Sequence, residues 1–329
     1  MIDLAAAPIG GLQVRSFRDA SDYERLSELM CAANEHDGDP YMPTAHNLQV
    51  EMDGAPGTDP VRDVVLVELD GTVIAASGVK RVVRDGVPTY EIWGSVDPEY
   101  RRRALGTWLW GWSIEHVRTR AAVEDPDAPV AVGSFAEEAE LGHRALLAAA
   151  GLRPVRHFFL MRRTGLEDVP DVPLPDGIEI RPVSPDQHRA IFDAETEAFR
   201  DHWGQREIGE GEFLTTFARR ELDTDLWVVA WARDEIAGVV QNWVWPDENA
   251  RLGIKRGWLE HISVRRPWRR RGLGRAITAA SLVKLRAAGL EEGMLGVDSE
   301  NPNGALGLYE GLGFKVHSRA AAYRRDLDR

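Results

Sequence analysis

Apolar and polar positions follow a pattern that runs along this chain twice. Residues 12–15, Leu-Gln-Val-Arg, and residues 178–181, Ile-Glu-Ile-Arg, have the period of two of a short strand. Each is followed by helical spacing, over 22–33 in the first half and 185–199 in the second. Residues 64–82 then read as a hairpin turning at Asp70-Gly71, a pair suited to the positive φ angles of a tight turn. Residues 226–244 match that hairpin, with Ile236-Ala237-Gly238 standing where Ile74-Ala75-Ala76 stand. The run from Trp258 to Val264 is apolar and β-branched enough for a strand. It passes through a basic turn containing Pro267 into 275–288, whose Ala, Leu and Arg spacing is helical. Residues 95–106 match 263–274, and Gly151-Leu152 stands where Gly313-Phe314 stand. The chain is therefore an internal repeat. The expected division is a domain over 1–165, a linker over 166–177 and a domain over 178–329. The linker carries Pro170, Pro173 and Pro175, which predicts a stiff, exposed segment. Each half's final region, 154–163 and 315–327, has room for one strand or two.

Charge and cysteine content narrow the class. A net charge of −13 argues against nucleic acid as the main partner, because phosphate backbones need a broad basic face. Cys31 is the sole cysteine and falls in a predicted helix, so it reads as core and no intrachain disulfide can form. No apolar run approaches the length of about 18 residues that a membrane span needs, and the first residues lack a basic, apolar leader. The expectation is a cytoplasmic protein with no membrane partner.

On this acidic chain one basic stretch stands out. Arg265, Arg266, Arg269, Arg270, Arg271 and Arg275 surround Gly272-Leu273-Gly274 at a predicted helix start. The first N–H groups of a helix have no intrahelical partner, and the helix dipole favours negative charge there. The anion such a site suits is a phosphate or pyrophosphate. A Walker loop needs Lys-Ser or Lys-Thr after its second glycine, and none is present. A dinucleotide fingerprint needs a small residue where Ile277 stands. What remains is Arg-x-x-Gly-x-Gly, filled by Arg269, Gly272 and Gly274. Taken alone, the hexapeptide also reads as an arginine-rich turn capping a helix.

That hexapeptide resembles the pyrophosphate loop of the GNAT superfamily of N-acetyltransferases. A second stretch, 301–314, resembles the family's other hallmark: Asn301, then Ala305, Leu308-Tyr309 and Gly313-Phe314. With the internal repeat, the resemblance covers nearly the whole chain as two GNAT domains in tandem. It implies an α/β (α+β) fold in which each half is a mixed, mostly antiparallel sheet flanked by helices. It also implies acetyl-CoA as co-substrate, no metal, and a small amine as acceptor. The alternative is a non-catalytic protein that binds or senses CoA. There is no Gly-x-Ser-x-Gly, no His-Glu-x-x-His and no paired cysteine spacing to favour a hydrolase or metal enzyme.

The resemblance assigns roles residue by residue. Backbone N–H groups of Arg269, Arg270, Arg271, Gly272, Leu273, Gly274 and Arg275 would hold the pyrophosphate. The edge of Ile262, Ser263 and Val264 would pair with the peptide-like pantetheine arm, and Asn301 would hold that arm from the other side. Glu260 stands where some family members place a glutamate that takes the amine proton through water; its alternative is an ordinary strand carboxylate. Tyr309 matches the family tyrosine that protonates the leaving thiolate; its alternative is a packing tyrosine. His202, Trp203, Trp243 and His261 are acceptor-pocket candidates, each with packing as the alternative. The first half departs from the pattern. Arg101, Ala104 and Gly106 keep the loop, with alanine at the first glycine, and with Val96, Arg102 and Arg103 they form a candidate second CoA site. Leu147 stands at the Tyr309 position, Ile92 at the Glu260 position beside Glu91, and no asparagine matches Asn301. The first half is expected to keep the fold without the chemistry.

Overall fold

The computed structural model describes residues 7–53, 57–203, 209–301 and 304–328. It divides into two compact units. One holds the chain through Val155, then Gly209–Thr215 and the end from Ala321; the other holds the chain from Arg156 and then Thr216–Ala320.

In the amino-terminal unit the order is β1 (Gln13–Ser16), α1 (Ser21–Asp37), α2 (Ala45–Asp53), α3 (Pro60–Asp63), β2 (Val64–Leu69), β3 (Thr72–Arg84), β4 (Val87–Val96), α4 (Leu105–Glu124), β5 (Ala131–Glu137) and α5 (Leu141–Ala149). Strands β1 to β4 pair antiparallel with their neighbours, and β4 pairs with β5 in parallel. The sheet is buried on both faces, so β2 reads as a near-continuous apolar run. Val64 and Leu66 join Leu26 and Leu29 of α1 on one face, while Val65 and Val67 join Leu105 and Leu109 of α4 on the other. That division is the period-two alternation of a strand.

The carboxy-terminal unit repeats this plan: β6 (Arg153–Thr164, its residues from Arg156), β7 (Glu179–Arg181), α6 (His188–Phe199), α7 (Glu210–Phe217, its residues from Thr216), β8 (Val228–Ala232), β9 (Glu235–Trp243), α8 (Pro246–Leu252), β10 (Arg256–Val264), α9 (Leu273–Ala287), β11 (Glu292–Asp298), α10 (Ala305–Glu310) and β12 (Lys315–Asp326, through Ala320). Its sheet order is β6-β11-β10-β9-β8-β7, with β10–β11 its parallel pair. Val228 and Ala230 face Leu282 and Leu285 of α9, and Val229 and Trp231 face Ile191 and Ala194 of α6.

Two expectations change and one open alternative closes. The compact units depart from the linear halves 1–165 and 178–329: β6 belongs from Arg156 on to the carboxy-terminal unit, and β12 belongs from Ala321 on to the amino-terminal unit. Residues Phe158–Thr164 pair antiparallel with all of β11, whereas Ala321 and Tyr323 pack with Ala136 and Leu147 of the amino-terminal unit. Each final region holds one strand of 12 residues. The 166–177 segment is not simply exposed: Leu166 is buried, and Val169, Val172 and Leu174 pack on the carboxy-terminal core. Its prolines stiffen a segment that the alternating apolar residues hold down.

Candidate active site

Strand β10 carries the site, and its register explains how. Trp258 pairs with Trp243 and Leu259 with Asn242, but Gln241 then pairs with His261, so Glu260 is the extra residue of a β-bulge. Toward β11 the parallel pairing covers Arg256, Gly257 and Trp258 and goes no further. Beyond that point β10 parts from β11, and Ile262, Ser263 and Val264 have no pairing toward it. A bulge bends its strand and re-aims side chains. Here both Glu260 and His261 are exposed, where an unbroken strand would send them to opposite faces. Close by, the Glu248 carboxyl on α8 is pushed up to about 7 by burial, and the charge of Glu260 adds to that. It accepts from the Trp258 indole at 2.9 Å and lies 3.5 Å from Arg256.

The glycine loop follows directly. Gly272 caps α9 at φ 83°, and Arg270 before it stands at φ 62°. These left-handed residues turn the chain so that the first N–H groups of α9 face outward. A Cβ on Gly274 would lie 3.3 Å from Leu308 and 3.7 Å from Val264, so glycine there lets the helix sit close to the strand end. The six arginines divide into two sets. Arg269 donates to the Val264 carbonyl at 2.8 Å, to Ala198 O at 2.9 Å and to Asp201. Arg266 also pairs with Asp201, and Arg265 donates to Glu197 at 2.9 Å. The two arginines hold the Asp201 carboxyl well below its usual range. The side chain of Arg269 is thus a strut that ties the loop to the end of α6. Arg270, Arg271 and Arg275 are exposed, and among the described residues no carboxylate pairs with them.

Tyr309 lies in α10 and is 6% exposed, its ring edge-on to Phe314 at 6.0 Å. Burial pushes its phenol up, so it is protonated throughout the neutral range. Gly313 at φ 86° ends the turn, and Phe314 N–H donates to Tyr309 O at 3.1 Å. Asn301 sits in the turn after β11, with its N–H on Asp298 O at 3.1 Å and its carbonyl accepting from Gly304. Of the acceptor candidates, His202 and His261 flank Phe199, with ring centroids 4.4 Å and 5.6 Å from it. Burial holds His202 below its usual range. Trp203 rests near Phe158 with the Arg156 guanidinium over it. Trp243 is buried and stacks on Trp245, which matches the packing alternative for it.

In the amino-terminal unit the same frame lacks the bulge. The register of β3 with β4 is unbroken from Arg84↔Val87 to Ala75↔Val96. Thr89 pairs with the first residue of β5, as Arg256 does with the first residue of β11. Ile92 is therefore the counterpart of Leu259, and Glu260 has none; the alignment of Ile92 with Glu260 is corrected, since a one-residue insertion is invisible to ungapped matching. The loop is otherwise the same. Arg101 donates to Val96 O at 3.1 Å and to both Asp37 oxygens, as Arg269 does to Val264 and Asp201. Arg102 and Ala104 both stand at φ 63°. Leu152 N–H donates to Leu147 O at 2.9 Å, so Leu147 is the counterpart of Tyr309. Val96, Arg101, Arg102, Ala104 and Gly106 line a cavity of about 940 Å³; Arg103 does not, and donates to Glu99 O instead. Asp37, Asp201, Glu195 and Glu248 escaped the sequence reading; the first three find their partners through contacts distant in the chain, and Glu248 meets Arg256 and Trp258 only once α8 packs beside β10. The one available signal was that Asp37 and Asp201 both stand just beyond the helical spacing expected over 22–33 and 185–199.

A strand that parts from its parallel neighbour beside a glycine-loop helix start is the frame of an enzyme that holds an acyl-CoA. Residues 188–314 match the acetyltransferase (GNAT) family. The chain is 33% identical over 236 residues to a mycothiol acetyltransferase of Salinispora tropica, covering 70% of this chain and 71% of that protein. It is 28% identical over 314 residues to a mycothiol acetyltransferase of Paenarthrobacter aurescens, covering 93% and 91%. A GCN5-related N-acetyltransferase from Sphaerobacter thermophilus superposes with a TM-score of 0.74 at 27% identity, over 98% of this chain and 97% of that one. A tandem GNAT protein from the clavulanic acid biosynthesis pathway shares the fold, with a TM-score of 0.67 at 19% identity over 97% and 99%. The chain belongs to the GNAT family, as a tandem protein, and is an acyl-CoA-dependent N-acetyltransferase. Among the described residues no helix is long and apolar enough to cross a membrane.

Proposed function

We propose that the carboxy-terminal unit transfers an acetyl group directly from acetyl-CoA to the amine of a small molecule, in a ternary complex. The observation that carries this reading is the bulge at Glu260, one strand-length before the loop at Gly272. The N–H groups at the start of α9, with Arg270, Arg271 and Arg275 around them, hold the pyrophosphate, while Arg269 braces the loop. Ile262 to Val264 pair with the pantetheine arm, and Asn301 closes on it. An alkyl ammonium has a pKa near that of lysine, about 10.4, so a base must draw off its proton before attack. Glu260 does so through water, Tyr309 protonates the departing thiolate, and His202 and Trp203 border the acceptor. Cys31 is buried and no serine stands in a nucleophile motif, which supports direct transfer over an acyl-enzyme.

For the amino-terminal unit we propose CoA binding without turnover. The cavity beside Ala104 and Gly106 supports binding, and the unbroken register of β4 with Leu147 at the tyrosine position supports loss of chemistry.

The test is thiol release from acetyl-CoA across a panel of amines that includes the acceptor of the mycothiol acetyltransferases, together with CoA titration of Gly272→Val. A branched side chain at φ 83° strains the loop and fills the anion site. CoA affinity at the carboxy-terminal unit should fall at least about tenfold. Unchanged affinity in a folded variant refutes the site.

A further inference from the structure

The ammonium nitrogen of the acceptor loses two protons in this reaction, one before it attacks and one as the amide forms. Sulfur takes one proton, and one is released: ammonium plus thioester gives amide, thiol and H⁺. A single carboxylate at Glu260 accounts for the first departure only.

Next to Glu260 lies a side-chain chain that the reading above leaves unused. His261 is half exposed, and its Nδ1 lies 3.2 Å from Oε1 of Glu195, whose side chain is 6% exposed. The other Glu195 oxygen accepts from Gln241 Nε2 at 2.6 Å. Gln241 Oε1 in turn accepts from the Trp243 indole at 3.2 Å, and Gln241 and Trp243 are both buried. Three elements, α6, β9 and β10, thus converge on one imidazole. A buried carboxylate is expensive unless a positive or hydrogen-bonding group faces it. Gln241 supplies one donor, and the imidazole is the group facing the second oxygen. Glu195 Oε1 is buried and makes no hydrogen bond of its own, so the carboxylate behind Nδ1 offers the counter-charge when Nε2 takes a proton, and a small turn of the ring would complete the bond that keeps the proton on Nδ1. The bulge is what brings His261 opposite Gln241 and onto the exposed side beside Glu260. The counterpart in the amino-terminal unit is Trp93, which cannot carry a proton there.

We propose, resting on the acetyl-transfer reading, that His261 is the second base of this site and that Glu195, held by Gln241, is its positioning residue. Glu260 takes the ammonium's first proton through water. As the C–N bond forms and the C–S bond breaks, Nε2 of His261 takes the second proton and returns it to solvent. Tyr309 protonates the sulfur and is reprotonated from solvent, so one proton is released per turnover. Among the described residues, Phe199 and His202 at the end of α6 also face His261, and Glu260 precedes it on its own strand.

The experiment is steady-state kinetics against pH on the full chain, using the best amine of the panel, for His261→Ala and Glu195→Gln. His261→Ala should lower kcat by about 10²-fold or more while the KM for acetyl-CoA stays within twofold. Added imidazole should restore part of that loss, because the position opens to solvent. Glu195→Gln keeps the size and a hydrogen bond but removes the counter-charge; it should move the acidic limb of the kcat profile to lower pH. Thermal unfolding of both variants checks that they fold. His261→Ala with kcat within threefold of wild type overturns the proposal, as does a Glu195→Gln variant whose kcat falls with no movement of the acidic limb. A wild-type protein that binds acetyl-CoA yet releases thiol with no amine fails the acetyl-transfer reading itself, and the proposal with it.

Discussion

Tyr309 is where one atom decides between a packing residue and an acid. Its ring fills the core beside Phe314, and Tyr309→Phe keeps that packing while removing the hydroxyl. Positioned acid–base groups contribute roughly 10²–10⁴-fold, so kcat should fall in that range with acetyl-CoA affinity little changed. Rapid-mix assays of thiol release read this directly, and full activity would leave Tyr309 as packing alone. Asp63 in the amino-terminal unit gives a second residue-scale expectation. It is fully buried, and burial acts to raise it. His116 at 2.8 Å, Arg62 at 3.0 Å and the Asp59 N–H at 2.9 Å outweigh burial and draw it from 3.8 down to about 2. A carboxyl lower in the folded than the unfolded state stabilises the fold above its ordinary value. That contribution is lost as pH falls from about 4 to about 2. Asp63→Asn should therefore destabilise this unit by about 2 kcal/mol at neutral pH, and the gap to wild type should close through that acid window. Urea unfolding followed by the fluorescence of Trp112, which stacks on His116, is the measurement.

Among the elements, β10 and β4 are the same strand with and without one residue. Deleting Glu260 restores the unbroken register of β4 and removes the carboxylate, with His261 still opposite Gln241. The loop at α9 is held by Arg269, Asp201 and Gly272 and does not depend on the bulge. The deletion should thus abolish turnover, by more than about 10³-fold, while CoA affinity stays within a few-fold. Calorimetric titration with CoA beside the thiol assay separates the two effects. Lost CoA binding in a folded deletion variant would mean that the bulge shapes the cofactor site. Much of this scale was legible in the sequence. The hairpins 64–82 and 226–244, the helix after Gly272 and the turn before Phe314 stand where period and turn chemistry put them. The bulge was not legible, because Trp-Leu-Glu-His-Ile-Ser-Val fits a strand equally well in either register. Only the partner strand, through Asn242 and Gln241, fixes which residue is skipped.

Across the whole molecule, the two final strands set what each unit needs from the chain. Ala321 and Tyr323 pack on Ala136 and Leu147, and Leu327 N–H donates to Val130 O at 2.9 Å. Truncation before Ala321 should strip protection from β5 of the amino-terminal unit, read as faster amide hydrogen exchange over Ala131–Glu137. The pairing of β6 with β11 would be kept. Equal loss in both units would refute this. The sequence by itself determined the repeat, the α/β plan of each half and the glycine loop at a helix start. Those follow from local causes: the period of side chains along a strand or helix, and the freedom of glycine at positive φ. Tertiary structure alone decided three things: which arginines are neutralised by Asp201 and Glu197, that Glu260 is a bulge residue with His261 backed by Glu195, and which unit each last strand completes. Each depends on a partner on another element, and the same local sequence is compatible with either outcome until that partner is in place.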